Sequence, residues 1–252
     1  MLSHTLLPKL KILRLSGVLD TLEERVQLAR DQDLSPVEFF ALLLDDEIDR
    51  RKRNANALKE RQACFESDKR LADFDFAAIP TLDKSLVLEI ATCRFIAEKE
   101  NWLVHGPTGV GKSHLATAIG REAIRKGYSV LNVSTHKMLV DLFAARADGS
   151  YQRKVNRLAA VGLLILDDFG LRLSTPQGGE DLYEIIQRRY ERGAILLTSN
   201  REPSEWAEMF GDSLLASAAL DRLTHHARIT AITGESYRQR QRRKEVASAI
   251  SA

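Results

Sequence analysis

Eight consecutive residues, Gly106, Pro107, Thr108, Gly109, Val110, Gly111, Lys112 and Ser113, satisfy the pattern G-x-x-x-x-G-K-[ST] at every fixed position. The pattern is suited to phosphate. Its glycines let the backbone curl, so that N–H groups and the start of the following helix face an anion. The lysine side chain reaches the β- and γ-phosphates, and the last hydroxyl joins the shell of a Mg²⁺ ion. These eight residues, with His114 at the helix start, are the expected nucleotide-binding set. Lys112 is expected to act on the transferred phosphate as well.

Roughly 55 residues later, Leu163, Leu164, Ile165 and Leu166 form an apolar run ending in two carboxylates, Asp167 and Asp168. Asp167 is expected to hold Mg²⁺ through water, beside Ser113, while Asp168 polarises the attacking water. A third run, residues 194–197, continues into Thr198, Ser199 and Asn200. Asn200 is placed to orient the lytic water or sense the γ-phosphate, although asparagine is also an ordinary turn former. Arg222, in Asp221-Arg222-Leu223, and Arg238, in Ser236-Tyr237-Arg238, are candidates for neutralising transition-state charge. The rings of His105 and His114 suit packing or capping. Neither the pair His225-His226 nor the other histidines show metal-ligand spacing.

Groups so far apart in sequence need a scaffold that gathers them. From about residue 84 the chain alternates helical stretches with short apolar runs: a helix over 84–99, strands at 102–105 and 129–133, a helix over 112–126, a helical stretch, strands at 161–166 and 194–197 with a helix over 180–192 between them, and a last strand at 228–232. Runs this short and apolar, flanked by helices, belong in a parallel sheet covered on both faces. Before them, residues 1–62 read as helical. Leu6, Leu10, Leu13, Val18 and Leu22 recur at helical spacing with a break near Gly17, and Ser35-Pro36-Val37-Glu38 resembles a capped helix start. That helix would carry Phe39, Leu42, Leu43 and Ile48 on one face. The expectation is an α/β protein in three parts: a small all-helical domain (1–62), a linker (63–83) and a P-loop domain (84–252).

Of the 252 residues, 44% are hydrophobic, enough to bury a core and too many for a disordered chain. No apolar run approaches the roughly 18 residues of a membrane-spanning helix. Lys9, Lys11 and Arg14 interrupt the apolar residues of the N-terminus, unlike a signal peptide. Cys64 and Cys93 are too few and too far apart for a zinc site or a disulfide framework. A cytoplasmic setting follows as the expectation.

Taken in order, the P-loop, the Asp-Asp strand, the Thr-Ser-Asn strand, Asp-Arg-Leu and Ser-Tyr-Arg resemble the AAA+ ATPases of the DnaC/IstB group. Leu10-Lys-Ile-Leu-Arg-Leu-Ser-Gly17, Glu47-Ile-Asp-Arg-Arg51 and Leu71-Ala-Asp-Phe-Asp-Phe76 are similar to the IstB type within it, the ATPase helpers of certain bacterial insertion sequences. One stretch departs: family members often carry Arg-Phe-Pro where this chain has Ala63-Cys64-Phe65-Glu66. The resemblance implies an AAA+ (ASCE) core that takes ATP and Mg²⁺, with Asn200 as sensor 1, Arg222 as the arginine finger reaching a neighbouring subunit's ATP and Arg238 as sensor 2. It also implies a nucleoid-associated protein that binds duplex DNA with little sequence preference, self-associates when ATP is bound and activates an IstA-type transposase. A DnaC-type helicase loader is the nearest alternative. A small-molecule kinase fits poorly, because about 100 residues precede the P-loop and the other motifs suit a multimeric ATPase.

The net charge is only +2, but its distribution is uneven. Residues 1–49 hold 5 basic against 10 acidic side chains, and residues 50–70 hold 8 against 3. Arg50, Arg51, Lys52 and Arg53 form one basic cluster, and Arg240, Arg242 and Arg243 lie in a second near the C-terminus. Both are candidates for the DNA backbone, which requires cations near phosphates and no base-reading motif.

Overall fold

The computed structural model describes residues 3–172, 175–237, 239 and 243. The chain divides into two compact units, residues 1–58 and 59–252.

The first unit holds α1 (Ser3–Ile12), α2 (Ser16–Asp31) and the greater part of α3 (Pro36–Ala63). The chain reverses before Gly17, at Arg14, whose φ is +54°. Gly17 instead sits inside the first turn of α2, where a Cβ would come within 2.7 Å of the Glu47 Cα. That close approach lets the Gly17 N–H donate to the Glu47 carboxylate at 2.6 Å. The expected apolar face holds at Phe39, Leu42 and Leu43 and fails at Ile48, where Glu47 turns inward instead. Glu47 is buried while Ile48 is 46% exposed, and the core is Leu10, Val18, Leu22 and Leu43. The capping box at Ser35 forms as its residue types require: the Glu38 carboxylate accepts the Ser35 N–H at 2.9 Å, and the Ser35 Oγ accepts the Glu38 N–H.

The second unit follows the alternating pattern: α4 (Lys84–Ala91), α5 (Arg94–Ala97), β1 (Asn101–His105), α6 (Lys112–Arg125), β2 (Val130–Ser134), α7 (Thr135–Ala147), α8 (Tyr151–Ala160), β3 (Leu163–Phe169), α9 (Pro176–Arg189), β4 (Ala194–Ser199), α10 (Ser213–Thr224) and β5 (Ala227–Ala231). All pairings are parallel and the strand order is β2-β3-β4-β1-β5. Successive strand residues feed opposite faces. Trp102, Val104, Leu163, Ile165 and Leu196 join the core under α4, α5 and α6, and Leu103, Leu164, Leu166, Ile195 and Leu197 join the core under α7 to α10.

Three expected helices differ in detail. Residues 84–99 form two helices, because buried Cys93 takes a left-handed conformation (φ +60°) and turns Phe95 and Ile96 inward. The stretch between β2 and β3 is also two helices, parted at Gly149 (φ +70°). α9 starts at Pro176 rather than 180, capped by the Thr175 hydroxyl on the Gly178 N–H at 3.1 Å. Of residues 63–83, Ala63 closes α3 and the others are irregular apart from short 3₁₀ turns at Leu71–Asp73 and Phe76–Ala78. They lie in the second unit, with Ala63, Phe74, Ala78, Ile79 and Leu82 part of its core. Among the described residues, no helix is long and apolar enough to cross a membrane.

Candidate nucleotide site

The P-loop runs from the end of β1 into α6, with positive φ at Gly106, Gly109 and Gly111. Two of these glycines are also required by crowding. A Cβ on Gly106 would collide with the Ile232 carbonyl oxygen, and one on Gly109 with the Ser236 hydroxyl. The loop is tied at both ends. Gly106 N–H donates to the Ser199 carbonyl at 3.1 Å, and Gly109 O accepts the Tyr237 N–H at 3.0 Å. Pro107, Thr108 and Val110 complete the turn, with Val110 buried. Lys112 is buried, its ammonium donating to the carbonyls of Gly106 at 2.8 Å and Pro107 at 2.7 Å. Burial lowers its pKa, while Asp168 and Asp167 pull it upward.

β4 lies between β1 and β3, so the end of β4 meets both the loop and the aspartates. The β3–β4 register slips between Leu166 and Phe169, and Asp168 has φ +54°. A bulge of this kind re-aims side chains at a strand end. Asp167 Oδ1 accepts from the Ser113 hydroxyl at 2.9 Å and from the Thr198 hydroxyl, while Thr198 Oγ1 accepts the Asp168 N–H at 3.2 Å. Thr198 therefore links both aspartates from within β4, where it is fully buried. Sequence reasoning passed over it. The available signal was a hydroxyl at the end of an otherwise apolar run. Asn200, one step beyond β4, has a buried Oδ1 with no hydrogen-bond partner among the described residues.

The donor set fits a hard cation. Ser113 Oγ and the Asp167 carboxylate offer oxygen, the ligand type Mg²⁺ takes alongside water and phosphate. The acceptor left open on Asn200 has room in its bonding for a water molecule or ligand donor. His114 does not turn toward the loop. Its Nε2 lies 3.0 Å from the Arg70 carbonyl, and its ring meets Phe74 edge to face at 5.1 Å. The segment carrying Phe74 also crosses Gly111, 3.2 Å from where a Cβ would stand. It is fastened to α6 by Arg121, which donates to Glu60 and the Ser67 carbonyl and sits 5.0 Å over the Phe65 ring.

The IstB-like ATP binding protein family matches residues 8–245. The chain belongs to that family. An ATP-binding protein of an insertion sequence in Mycobacterium tuberculosis is 39% identical over 92% of this chain and 93% of its own length. The insertion sequence IS21 ATP-binding protein of Pseudomonas aeruginosa is 36% identical over 96% of this chain and 90% of its own. The crystal structure of DnaI superposes with a TM-score of 0.57 at 25% identity, covering 66% of this chain and 92% of that one. The fold is the AAA+ P-loop fold, an α/β parallel sheet with helices on both faces.

Among the described candidates of this IstB-like chain, Arg222 stands apart from the loop. Arg222, in the last turn of α10, donates to the Ala218 carbonyl at 2.7 Å and lies over the rings of Tyr183 and Tyr190 at 5.6 and 6.0 Å. Its neighbour Leu223 accepts the Asn101 side-chain amide at 2.9 Å. Asn101 opens β1 and the P-loop follows its other end, so the length of the strand, about 13 Å, separates Arg222 from the loop. Arg238, Arg240 and Arg242 lie outside the described residues. Arg243 is exposed, 3.6 Å from Glu235. In α3, Arg50, Arg51 and Lys52 sit beside Asp20, Glu47 and Asp49 at 3.6, 2.7 and 4.0 Å, and Arg53 is exposed. The Arg50–Asp20 and Lys52–Asp49 pairs are largely exposed and contribute little, whereas Arg51 is held by the buried Glu47 carboxylate.

Proposed function

We propose that this protein is an ATP-hydrolysing regulator of DNA transposition, assembling on duplex DNA when ATP is bound and engaging the cognate transposase. The observation that carries it is the distance between two parts of one chain: Arg222 stands at the opposite end of β1 from the P-loop. An arginine so placed serves ATP only across a subunit boundary, which makes turnover depend on assembly.

Within the site, Lys112 and the loop N–H groups bind and orient the phosphates. Ser113 and Asp167 would hold Mg²⁺, which supplies charge neutralisation on the phosphate oxygens. Asp168 and Asn200 position water, with Asp168 taking up its proton. Arg222 of an adjacent copy neutralises charge on the transferred phosphoryl group, and Arg238 is assigned the same task from within the chain. Arg50, Arg51, Lys52, Arg53, Arg240, Arg242 and Arg243 are assigned to DNA phosphates. The insertion-sequence names of relatives 36–39% identical over nearly the full chain support a transposase partner over a helicase.

Mixing variants tests the reading. Lys112→Ala and Arg222→Ala should each be inactive alone, and an equimolar mixture should recover ATP hydrolysis on DNA, because a Lys112→Ala copy can lend its intact Arg222 to an Arg222→Ala copy. Failure to recover activity, with both variants still assembling, would refute shared sites. Capture of a replicative helicase instead of the transposase would transfer the same ATPase to helicase loading.

A further inference from the structure

We propose that Glu191, His225 and His226 form a binding site for a transition-metal dication of the Zn²⁺ class. One ligand atom from each residue lies within 4.8 Å of the others. Glu191 comes from the turn after α9 and the two histidines from the turn between α10 and β5. The two stretches stand 34 residues apart in the chain and are joined by Tyr190 against His225.

Both turns are fixed by bonds that do not use the three side chains. Asn101 donates its side-chain amide to Leu223 O at 2.9 Å and its backbone N–H to His226 O at 3.3 Å. Its Oδ1 accepts from the Ile195 N–H at 2.9 Å. Arg192 and Gly193 N–H groups both donate to Arg189 O at 2.9 Å, closing the turn that carries Glu191. Glu191 and His226 are each left-handed, with φ of +57° and +55°. Side-chain-bearing residues seldom take that conformation, and it clusters where a backbone is turned to present a side chain.

Tyr190 orients the donors. Its hydroxyl lies 2.8 Å from His225 Nδ1. With Nδ1–H of His225 donating to the phenol oxygen, Nε2 keeps the lone pair a metal takes. An outer partner on the second ring nitrogen is the usual way a ligating histidine is held in one tautomer. Two imidazoles and a carboxylate select zinc-class ions, whereas Mg²⁺ and Ca²⁺ prefer all-oxygen shells. Three protein ligands leave a fourth position for water. Lys99, Arg189 and Arg222 line the same hollow, and these cations disfavour any ion that lacks strong nitrogen ligation. Tyr190 also lies beneath the Arg222 guanidinium, so ligation would hold the ring on which that arginine rests.

The test titrates Co²⁺ into tag-free full-length protein with Mg²⁺ and ATP saturating the P-loop. A four-coordinate nitrogen and oxygen shell gives intense visible bands that an octahedral oxygen shell does not. One equivalent should saturate the wild type and be displaced by Zn²⁺. Glu191→Gln and His226→Asn should each weaken binding by about tenfold or more. Asparagine tolerates positive φ, so His226→Asn keeps the turn. Zn²⁺ should raise the melting temperature of the wild type and of neither variant. Binding without a one-equivalent end point, or binding that survives both substitutions, overturns the site.

Discussion

Ser113 and Asp167 share a 2.9 Å hydrogen bond although 54 residues and an intervening strand separate them. The hydroxyl that closes the P-loop and the carboxylate that closes β3 therefore form one unit, and β4 is the element that spaces them. Thr198 of β4 completes the unit by holding Asp167 from the other side.

Thr198→Val tests that bridge, because valine keeps the shape and branching of threonine in a buried strand. The substitution removes the donor to Asp167 and the Thr198 acceptor of the Asp168 N–H. Of the two hydrogen bonds lost, the one that places Asp167, about 1–1.5 kcal/mol, should slow ATP turnover roughly tenfold with nucleotide affinity little changed. Steady-state phosphate release and analogue binding measure the two effects separately. An undiminished rate would mean that Ser113 alone suffices to place Asp167.

Gly106→Ala should be far more damaging than alanine at Gly127. Both residues have positive φ, +148° and +93°, but a Cβ on Gly106 strikes backbone while one on Gly127 meets nothing within 4 Å. The first should cost about 2–3 kcal/mol and abolish nucleotide binding, and the second about 1 kcal/mol. Thermal melts of the two variants, with and without nucleotide, check the ranking. Equal melting temperatures would contradict it.

Arg189 is 1% exposed, and among the described residues no carboxylate pairs with it. Its guanidinium is held by the carbonyls of Leu158, Ala159, Val161, Gly162 and Ala194. Desolvation pulls its pKa down to about 10, within the range where it keeps its charge at neutral pH. Arg189→Met fills similar volume but strands those carbonyls where β3 and β4 begin, at an expected cost of about 3–5 kcal/mol. Chemical denaturation reads this directly, and a loss under 1 kcal/mol would show that water replaces the guanidinium.

Much of the scaffold is legible in the residues because short apolar runs between helices permit few arrangements. The strand order is not, since nothing in residues 194–199 says that β4 must insert between β1 and β3. Nor is the bulge at Asp167 and Asp168, which depends on Thr198, 31 residues from Asp167. Cys93 breaks the 84–99 helix with neither glycine nor proline to announce it. At Glu47 the apolar spacing misleads, because a carboxylate that receives the Gly17 N–H is worth burying. Glu191 joins the two histidines only through the fold, so the spacing of the histidines could not disclose it.

The first unit has its own acid-sensitive contact. Arg25 meets Asp46 through two hydrogen bonds of 2.8 Å, and the guanidinium holds the Asp46 pKa down to about 2, with Thr21 adding a further donor. Because the folded value is depressed, the contribution is complete above the unfolded value near 3.8 and is lost as pH falls toward 2. Hydrogen-exchange protection in α2, taken against the intrinsic amide rate at each pH, should therefore fall between about pH 4 and pH 2 in the wild type. Arg25→Ala should show the lower protection already at neutral pH and little further change in that window. A matching pH profile in both proteins would remove this pair as the cause.

The outer side of the P-loop is not built by its own motif. Ser236 fills the space beside Gly109, Tyr237 bonds the same glycine, and Ile232 presses on Gly106. A stop codon just downstream of the last strand would spare every residue of the motif and still remove the mould against which it is cast. Genetically, such a truncation would behave as a lesion of the nucleotide site rather than the trimming of a dispensable tail.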